Sequence, residues 1–430
     1  MKKKMLFLPI LSAMMLTSCA LPFGTNNSTQ SNNNSTNESS IPAEETKLII
    51  TELVEGSGDS TTVYNNAIEI YNFSDEDVNL ADYSIAHYQR EITPSNIVKL
   101  EGTLKAKETY VVVTGTADNE ELKAKANLIS NDLFFTGKGM VALLLNDNIV
   151  DCLGYPTIYS DYAASVTLVR KVNFMEPRLE YDAYDWIRYS ADNYKYLGNV
   201  ENSVTPEELL NGPVLEDKYF DHNQYPFYYN DGNSIRGGGG AVSGSVKNNI
   251  DGDTSDLFVN GLTPSEFMAE NKYYGVVGGK TWIRCRYYAV DTPESGGNAG
   301  IQEFGMMAKY YTAYIQNKAD TIYVQTVSGD SIVGNFGRLL AYIWADKDTM
   351  VNYETIKAGY SKAQYDFHED MMYKDLPYEA YFYNANLHAM KFKLGRYGEK
   401  DPYWNYSSNS SYCEKIVCGN YFENDGSILG

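Results

Sequence analysis

From Lys47 to Lys171 the chain alternates short apolar runs with turn residues. The runs read KLIITELV, AIEIYN, YSIAHY, TYVVVTG, MVALLLN, NIVDCLGY and SVTLVRK, and Gly, Asn and Asp punctuate the stretches between them. β-Branched and aromatic residues dominate, and strands this short with turns this regular predict an antiparallel β-sandwich. Further on, Ile301, Phe304, Ala308, Tyr311 and Ile315 recur at three- and four-residue steps, which is one face of an amphipathic helix. TPEELLNGPVL, from Thr205, predicts a shorter helix, and Gly237 to Gly240 predict a flexible joint.

The ends differ from this pattern. Lys2, Lys3 and Lys4 precede an apolar run from Met5 to Leu16, too short to span a bilayer, and then Leu16-Thr17-Ser18-Cys19. The tetrapeptide resembles a bacterial lipobox, which implies lipidation at Cys19, a membrane anchor and an extracytoplasmic location. Residues 20–45 are rich in Ser, Asn and Thr and hold too little apolar surface to order themselves, so they read as a stalk. In an oxidising exterior Cys413 and Cys418 are spaced to close a small loop, while Cys152 and Cys285 read as buried thiols. The formal net charge of −21 over 430 residues repels anions at long range, so the whole chain is not a general nucleic-acid binder.

IITELVEGSG, AIEIYN, GKGMVALLLNDNIVDCLG, SVTLVRK and a closing Trp186 before YLGN resemble the bacterial lamin-tail domains, an immunoglobulin-like module. Nothing in this region points to catalysis. A binding or adhesive role follows, with a wall polymer or a protein as ligand.

Chemistry concentrates later. In IDGDT (250–254) Asp251 and Asp253 lie two apart, on one face of a strand, and Gly252 between them permits close approach. Two carboxylates on one face call for a cation between them. RYYAVDTPE (286–294) adds Asp291, the Thr292 carbonyl and Glu294 beyond a turn-fixing proline. Hard oxygens of this kind suit Ca²⁺. Arg286 lies five residues before Asp291, so strict alternation sends them to opposite faces, and both reach one site only where the strand is bent. Arg338, after Gly337 and before the apolar run LLAYIW, presents a second guanidinium. Two arginines, a carboxylate base and a metal are the parts of in-line attack on a phosphodiester.

IDGDT, R-x4-DTPE, FGR with LAYI (336–343) and VNYETIKAGYSKAQY (351–365), in this order, resemble the thermonuclease, or staphylococcal-nuclease-like, family. The resemblance implies an OB-type barrel with packed helices. It implies Asp253 and Asp291 as calcium ligands by side chain and Thr292 by backbone, with Asp251 behind them. It implies Glu294 as general base, Arg286 and Arg338 as phosphate clamps and Tyr365 as a nucleotide contact. DNA and RNA are then the substrates, with 3′-phosphate and 5′-hydroxyl products. The fold class is therefore mainly β, a sandwich followed by an α+β OB-fold barrel. The division is 1–19 signal peptide, 20–45 stalk, 46–199 lamin-tail-like sandwich, 200–247 linker, 248–405 nuclease-like domain and 406–430 tail.

This chain departs from the family in several places. Asn335-Phe336 replaces a lysine-tyrosine pair, Phe367 replaces a tyrosine, and LTPSEFMAENKYYGVVGGKT enlarges a hairpin beside the cleft. Residues 248–405 hold 20 Asp and Glu against 15 Lys and Arg, where nucleic-acid binders are usually basic. Two readings follow: a calcium-dependent, surface-anchored nuclease, or a non-catalytic surface binder that keeps a relict nuclease fold.

Overall fold

A computed structural model describes residues 46–57, 64–158, 161–269, 273–363, 371–398, 400–402 and 404–411. Cys19, Tyr365, Cys413 and Cys418 lie outside the described residues. No helix among the described residues is long and apolar enough to cross a membrane.

The first half is a two-sheet sandwich. Its strands are β1 (Leu48–Glu55), β2 (Asn66–Asn72), β3 (Tyr83–Tyr88), β4 (Asn96–Lys99), β5 (Thr109–Thr114), β6 (Leu128–Ser130), β7 (Met140–Leu145), β8 (Asn148–Gly154), β9 (Val166–Arg170) and β10 (Trp186–Ser190). One sheet runs β10-β9-β1-β2-β5-β6 and the other β8-β7-β3-β4. Pairing is antiparallel except for β5 with β6, which is parallel. Leu48, Ile50 and Leu53 of β1 all enter the core between the sheets, although strict alternation would put Leu53 outside. A register shift between Ile50 and Glu52 changes the phase, as a bulge does.

That shift sends Glu52 to the outer face, directly opposite Glu69 of β2. Both are buried there, under the segment that leaves the sandwich, because Gly198 donates its backbone N–H to Glu69. The sheets are also tied by a buried ion pair, Arg170 Nη2 to Asp151 Oδ2 at 2.6 Å, with neither side chain exposed. Asp151 further accepts from the Ile50 N–H at 2.8 Å and the Arg178 N–H at 2.7 Å, so its oxygens are satisfied.

Helix α1 (Glu120–Ala124) caps the outer sheet face and α2 (Pro206–Asn211) follows the sandwich. The latter starts on a capping box: Thr205 accepts from the Glu208 N–H, and Glu208 accepts from the Thr205 N–H. The segment 200–247, expected as a linker, is packed. Val204, Leu209, Leu215, Tyr219 and Phe227 are buried in the barrel's core. The glycines expected as a joint are also ordered, in and just after β11 (Ile235–Gly238). A Cβ on Gly237 would fall 2.0 Å from the Val327 carbonyl oxygen, and one on Gly238 2.3 Å from that of Pro226. Here glycine serves close backbone approach rather than flexibility.

The second half is the barrel. Strands β12 (Ala241–Asp251), β13 (Thr254–Val259), β14 (Tyr274–Val277), β15 (Lys280–Tyr287), β16 (Val290–Asp291), β17 (Ile322–Thr326), β18 (Leu339–Ala345), β19 (Thr349–Met350) and β20 (Lys362–Ala363) are joined by α3 (Gly305–Lys318), α4 (Val351–Lys357) and α5 (Tyr378–Lys391). The main sheet runs β14-β15-β13-β12-β17-β18-β19, and parallel pairing of β15 with β18 closes it. In α3, Ala308, Tyr311 and Ile315 are buried as expected. Ile301 falls before the helix and is exposed, because Phe304 takes a left-handed φ of 63° and the helix starts only at Gly305.

Sandwich and barrel share a core. Val169, Ile187 and Tyr189 of the outer sheet belong to the same buried cluster as the barrel interior. Lys171 Nζ crosses to Asn384 Oδ1 of α5 at 2.7 Å, and Lys391 of α5 reaches Asp182 at 2.6 Å.

Candidate active-site cleft

Strand β15 sets the geometry by alternation. Ile283, Cys285 and Tyr287 point into the core, so Trp282, Arg284 and Arg286 point out. The strand then breaks at Tyr288-Ala289, and Ala289 takes a φ of 60°. This turn brings β16 back, pinned to β20 by pairing and by the Asp291 N–H donating to Ser361 Oγ at 2.8 Å. The bend required for Arg286 and Asp291 to share a site is therefore present, and Arg286 Nη2 meets Asp291 Oδ1 at 2.8 Å.

The β12–β13 turn supplies the opposite wall. A Cβ on Gly252 would lie 2.7 Å from Thr292 Oγ1 and from Ala308 Cβ, so glycine lets the turn seat against both. Asp253 becomes buried there. Its Oδ2 pairs with Arg286 and accepts from the Thr292 N–H at 3.1 Å and Oγ1 at 3.2 Å. Its Oδ1 accepts from Thr254 Oγ1 at 2.9 Å. Thr254 Oγ1 in turn accepts from Arg338 Nη1 at 3.1 Å, and the parallel β15–β18 pairing sets Arg338 close to Arg286.

Asp251, Asp253, Arg286, Asp291, Glu294 and Arg338 all line one cleft of about 660 Å³. Burial, and next the charge of Arg338, hold the Arg286 guanidinium below its ordinary pKa. Burial, and next the Asp251 carboxyl beside it, push the Glu294 carboxyl up, while Arg286 pulls it back. Asp251 is fixed by the N–H groups of Gly252 at 2.8 Å and Ser295 at 3.2 Å.

The carboxylates fit a hard cation in type, and four of them crowd against two guanidinium groups, while Thr292 meets Asp253 through its N–H and hydroxyl. They differ from the expected ligand set in arrangement: the Arg286 guanidinium bridges Asp253 and Asp291. Among the described residues no three His, Cys, Asp or Glu side chains converge to hold a metal ion.

Thr254, Arg284, Tyr273 and Lys309 also line the cleft, and the motifs assign a role to none of them. Thr254 ends the IDGDT motif, and Arg284 is one strand period before Arg286, so both carried a usable signal. Tyr273 comes from the enlarged hairpin, which does reach the cleft. Phe336 stands 74% exposed at its rim.

Two family models match the chain. Residues 42–157 match the Lamin Tail Domain, and residues 284–395 match the Staphylococcal nuclease homologue. No curated protein matches it.

Proposed function

We propose, from the premise that a lamin tail domain here precedes a staphylococcal nuclease homologue domain, that the chain is a calcium-dependent nuclease of DNA and RNA. The observation that carries the reading is the convergence of Arg286, Arg338, Glu294, Asp253 and Asp291 on one cleft. Asp253 and Asp291, with the Thr292 carbonyl, would hold Ca²⁺, which supplies positive charge beside the scissile phosphate.

The chain's own groups account for the remaining chemistry. Arg286 and Arg338 approach the cleft from neighbouring strands and offer donors to the phosphoryl oxygens, where charge develops in the transition state. Ionised Glu294 takes a proton from water as the water oxygen bonds to phosphorus and the P–O5′ bond breaks. The leaving oxygen takes a proton from solvent. The upward push on the Glu294 carboxyl brings the base closer to neutral pH, and activity is expected to rise with pH as Glu294 ionises.

The lipobox-like tetrapeptide ending at Cys19 supports a location outside the cytoplasmic membrane with a lipid anchor at that cysteine, and the sandwich would grip a wall polymer or protein. A plasmid-degradation assay tests the chemistry. Cleavage is expected with calcium, and it should be lost with EGTA or in Glu294→Gln. Cleavage that survives either would refute the mechanism. Asn335 and Phe336, which remove a cation and a phenol from the phosphate side, favour the second reading of a non-catalytic binder, and failure of the wild type on every substrate would select it.

A further inference from the structure

Beyond the cleft, the outward residues of β15 form a row: Lys280, Trp282, Arg284 and then Arg286. Each of the first three meets a neighbour of complementary type. Lys280 Nζ stands 5.7 Å from the ring centre of Phe258, and Lys247 Nζ stands 4.1 Å from that of Trp282. The Arg284 guanidinium is 5.3 Å from the Tyr273 ring. Asp256, buried on the facing strand, holds Arg284 by Nε at 2.7 Å and Nη2 at 3.1 Å. Nη1 of Arg284 makes no bond to any described residue and stays available to an acceptor. The Trp282 indole lies across Gly275, where a Cβ would fall 3.0 Å from Nε1.

We propose that this row is a single-stranded nucleic-acid track that feeds the cleft, with bases stacking on Trp282 and Tyr273 and phosphates meeting Lys280, Lys247 and Arg284. It rests on the nuclease reading for its destination. Six residues of strand separate Lys280 from Arg286, about 20 Å, enough for several nucleotides. Aromatic faces alternating with cations are how barrels of this class hold single strands, whereas a duplex keeps its base faces hidden. Lys247 Nζ also meets Asp256 Oδ2 at 3.3 Å, so a base that stacks on the indole takes over the ring face while the ammonium keeps its carboxylate and turns toward the adjoining phosphate. The row also bears on the acidity of residues 248–405: Asp256 is the acid that faces it, shared between Arg284 and Lys247, and Lys280 adds a cation at its exposed end.

Fluorescence anisotropy on the full chain carrying Glu294→Gln, with calcium, tests the track. The probes are labelled (dT)10, (rU)10, (dT)2 and a ten-base-pair duplex. Tighter binding of the ten-mers than of (dT)2 or the duplex is expected, and the two ten-mers show whether DNA or RNA is preferred. Adding Trp282→Ala should weaken ten-mer binding about tenfold. Adding Lys280→Ala, at the exposed end of the row, should flatten the salt dependence by about one phosphate contact. Equal affinity for (dT)2 and (dT)10, preference for the duplex, or no effect of either substitution would overturn the track. Failed plasmid cleavage with ten-mer binding intact removes only the catalytic reading, and cleavage without any length dependence of binding removes only the track.

Discussion

Replacing Glu69 by Gln should make the protein more stable at pH 8 and leave it no more stable at pH 5. Glu69 sits in the middle of the outer sheet face, opposite Glu52 and flanked by Val111 and, beyond Glu52, by Val169. It accepts from Thr51 Oγ1 at 2.6 Å and from the Gly198 N–H, and Lys125 and Thr109 are near, but burial dominates and raises its pKa from the ordinary 4.5 to about 7. Glu52 is pushed further up by burial and then by Glu69, and neither of its carboxyl oxygens has a hydrogen-bond partner. Below pH 4.5 both folded and unfolded Glu69 are protonated, and the group is neutral to stability. Between 4.5 and about 7 the unfolded chain ionises while the folded one keeps its proton, so stability falls as pH rises. At about 1.4 kcal/mol for each tenfold change in proton affinity, the loss is about 3 kcal/mol above that window. Gln avoids the ionisation but weakens one contact, at about 1 kcal/mol, leaving a net gain of about 2 kcal/mol at pH 8. Urea or thermal unfolding of both proteins at pH 5 and pH 8 measures this, and the difference between them cancels titration elsewhere except at Glu52, whose upward push from Glu69 the variant also relieves. Parallel pH profiles, or a wild type that gains on the variant as pH rises from 5 to 8, would show that the carboxyl is not carrying a buried proton.

Substitutions at two further places probe other parts of the structure. Asp151→Ala strands the fully buried Arg170 guanidinium and should cost about 3–5 kcal/mol by denaturant unfolding, whereas Asp151→Leu combined with Arg170→Met should cost far less; equal losses would mean that the pair is not the lock between the sheets. Thr254→Val removes the hydroxyl that positions Arg338 and should lower kcat about tenfold, from about 1.5 kcal/mol or more for a hydrogen bond to a charged group, with KM little changed; Thr254→Ser should restore it, and a loss that persists in Ser would point to packing instead.

Much of this site was readable before any coordinates, because its chemistry is local. IDGDT and RYYAVDTPE place their carboxylates and arginine within a few residues, and the bend between Arg286 and Asp291 followed from a count of strand periods. Other features depend on distant partners and left no local mark. Ala289 gives no warning of a left-handed φ, and Arg286 as the bridge between Asp253 and Asp291 needs three segments in contact. Gly237 to Gly240 look like a joint until Val327 and Pro226 are seen pressed against them. Likewise 200–247 reads as a linker because its aromatics have no period, and their burial is decided by α5 and the barrel. The outward row on β15 is the opposite case: its period of two is plain in the sequence, but the partners that give Lys280 and Trp282 a role come from β13 and β12.

The shared core of sandwich and barrel has a mechanical meaning. With Val169, Ile187 and Tyr189 packed into the barrel half and Lys171 fastened to α5, the two halves are not beads on a string. On the proposed function, a surface gripped by the first half would fix the compass bearing of the second half's mouth, so that attachment and aim become a single setting rather than two.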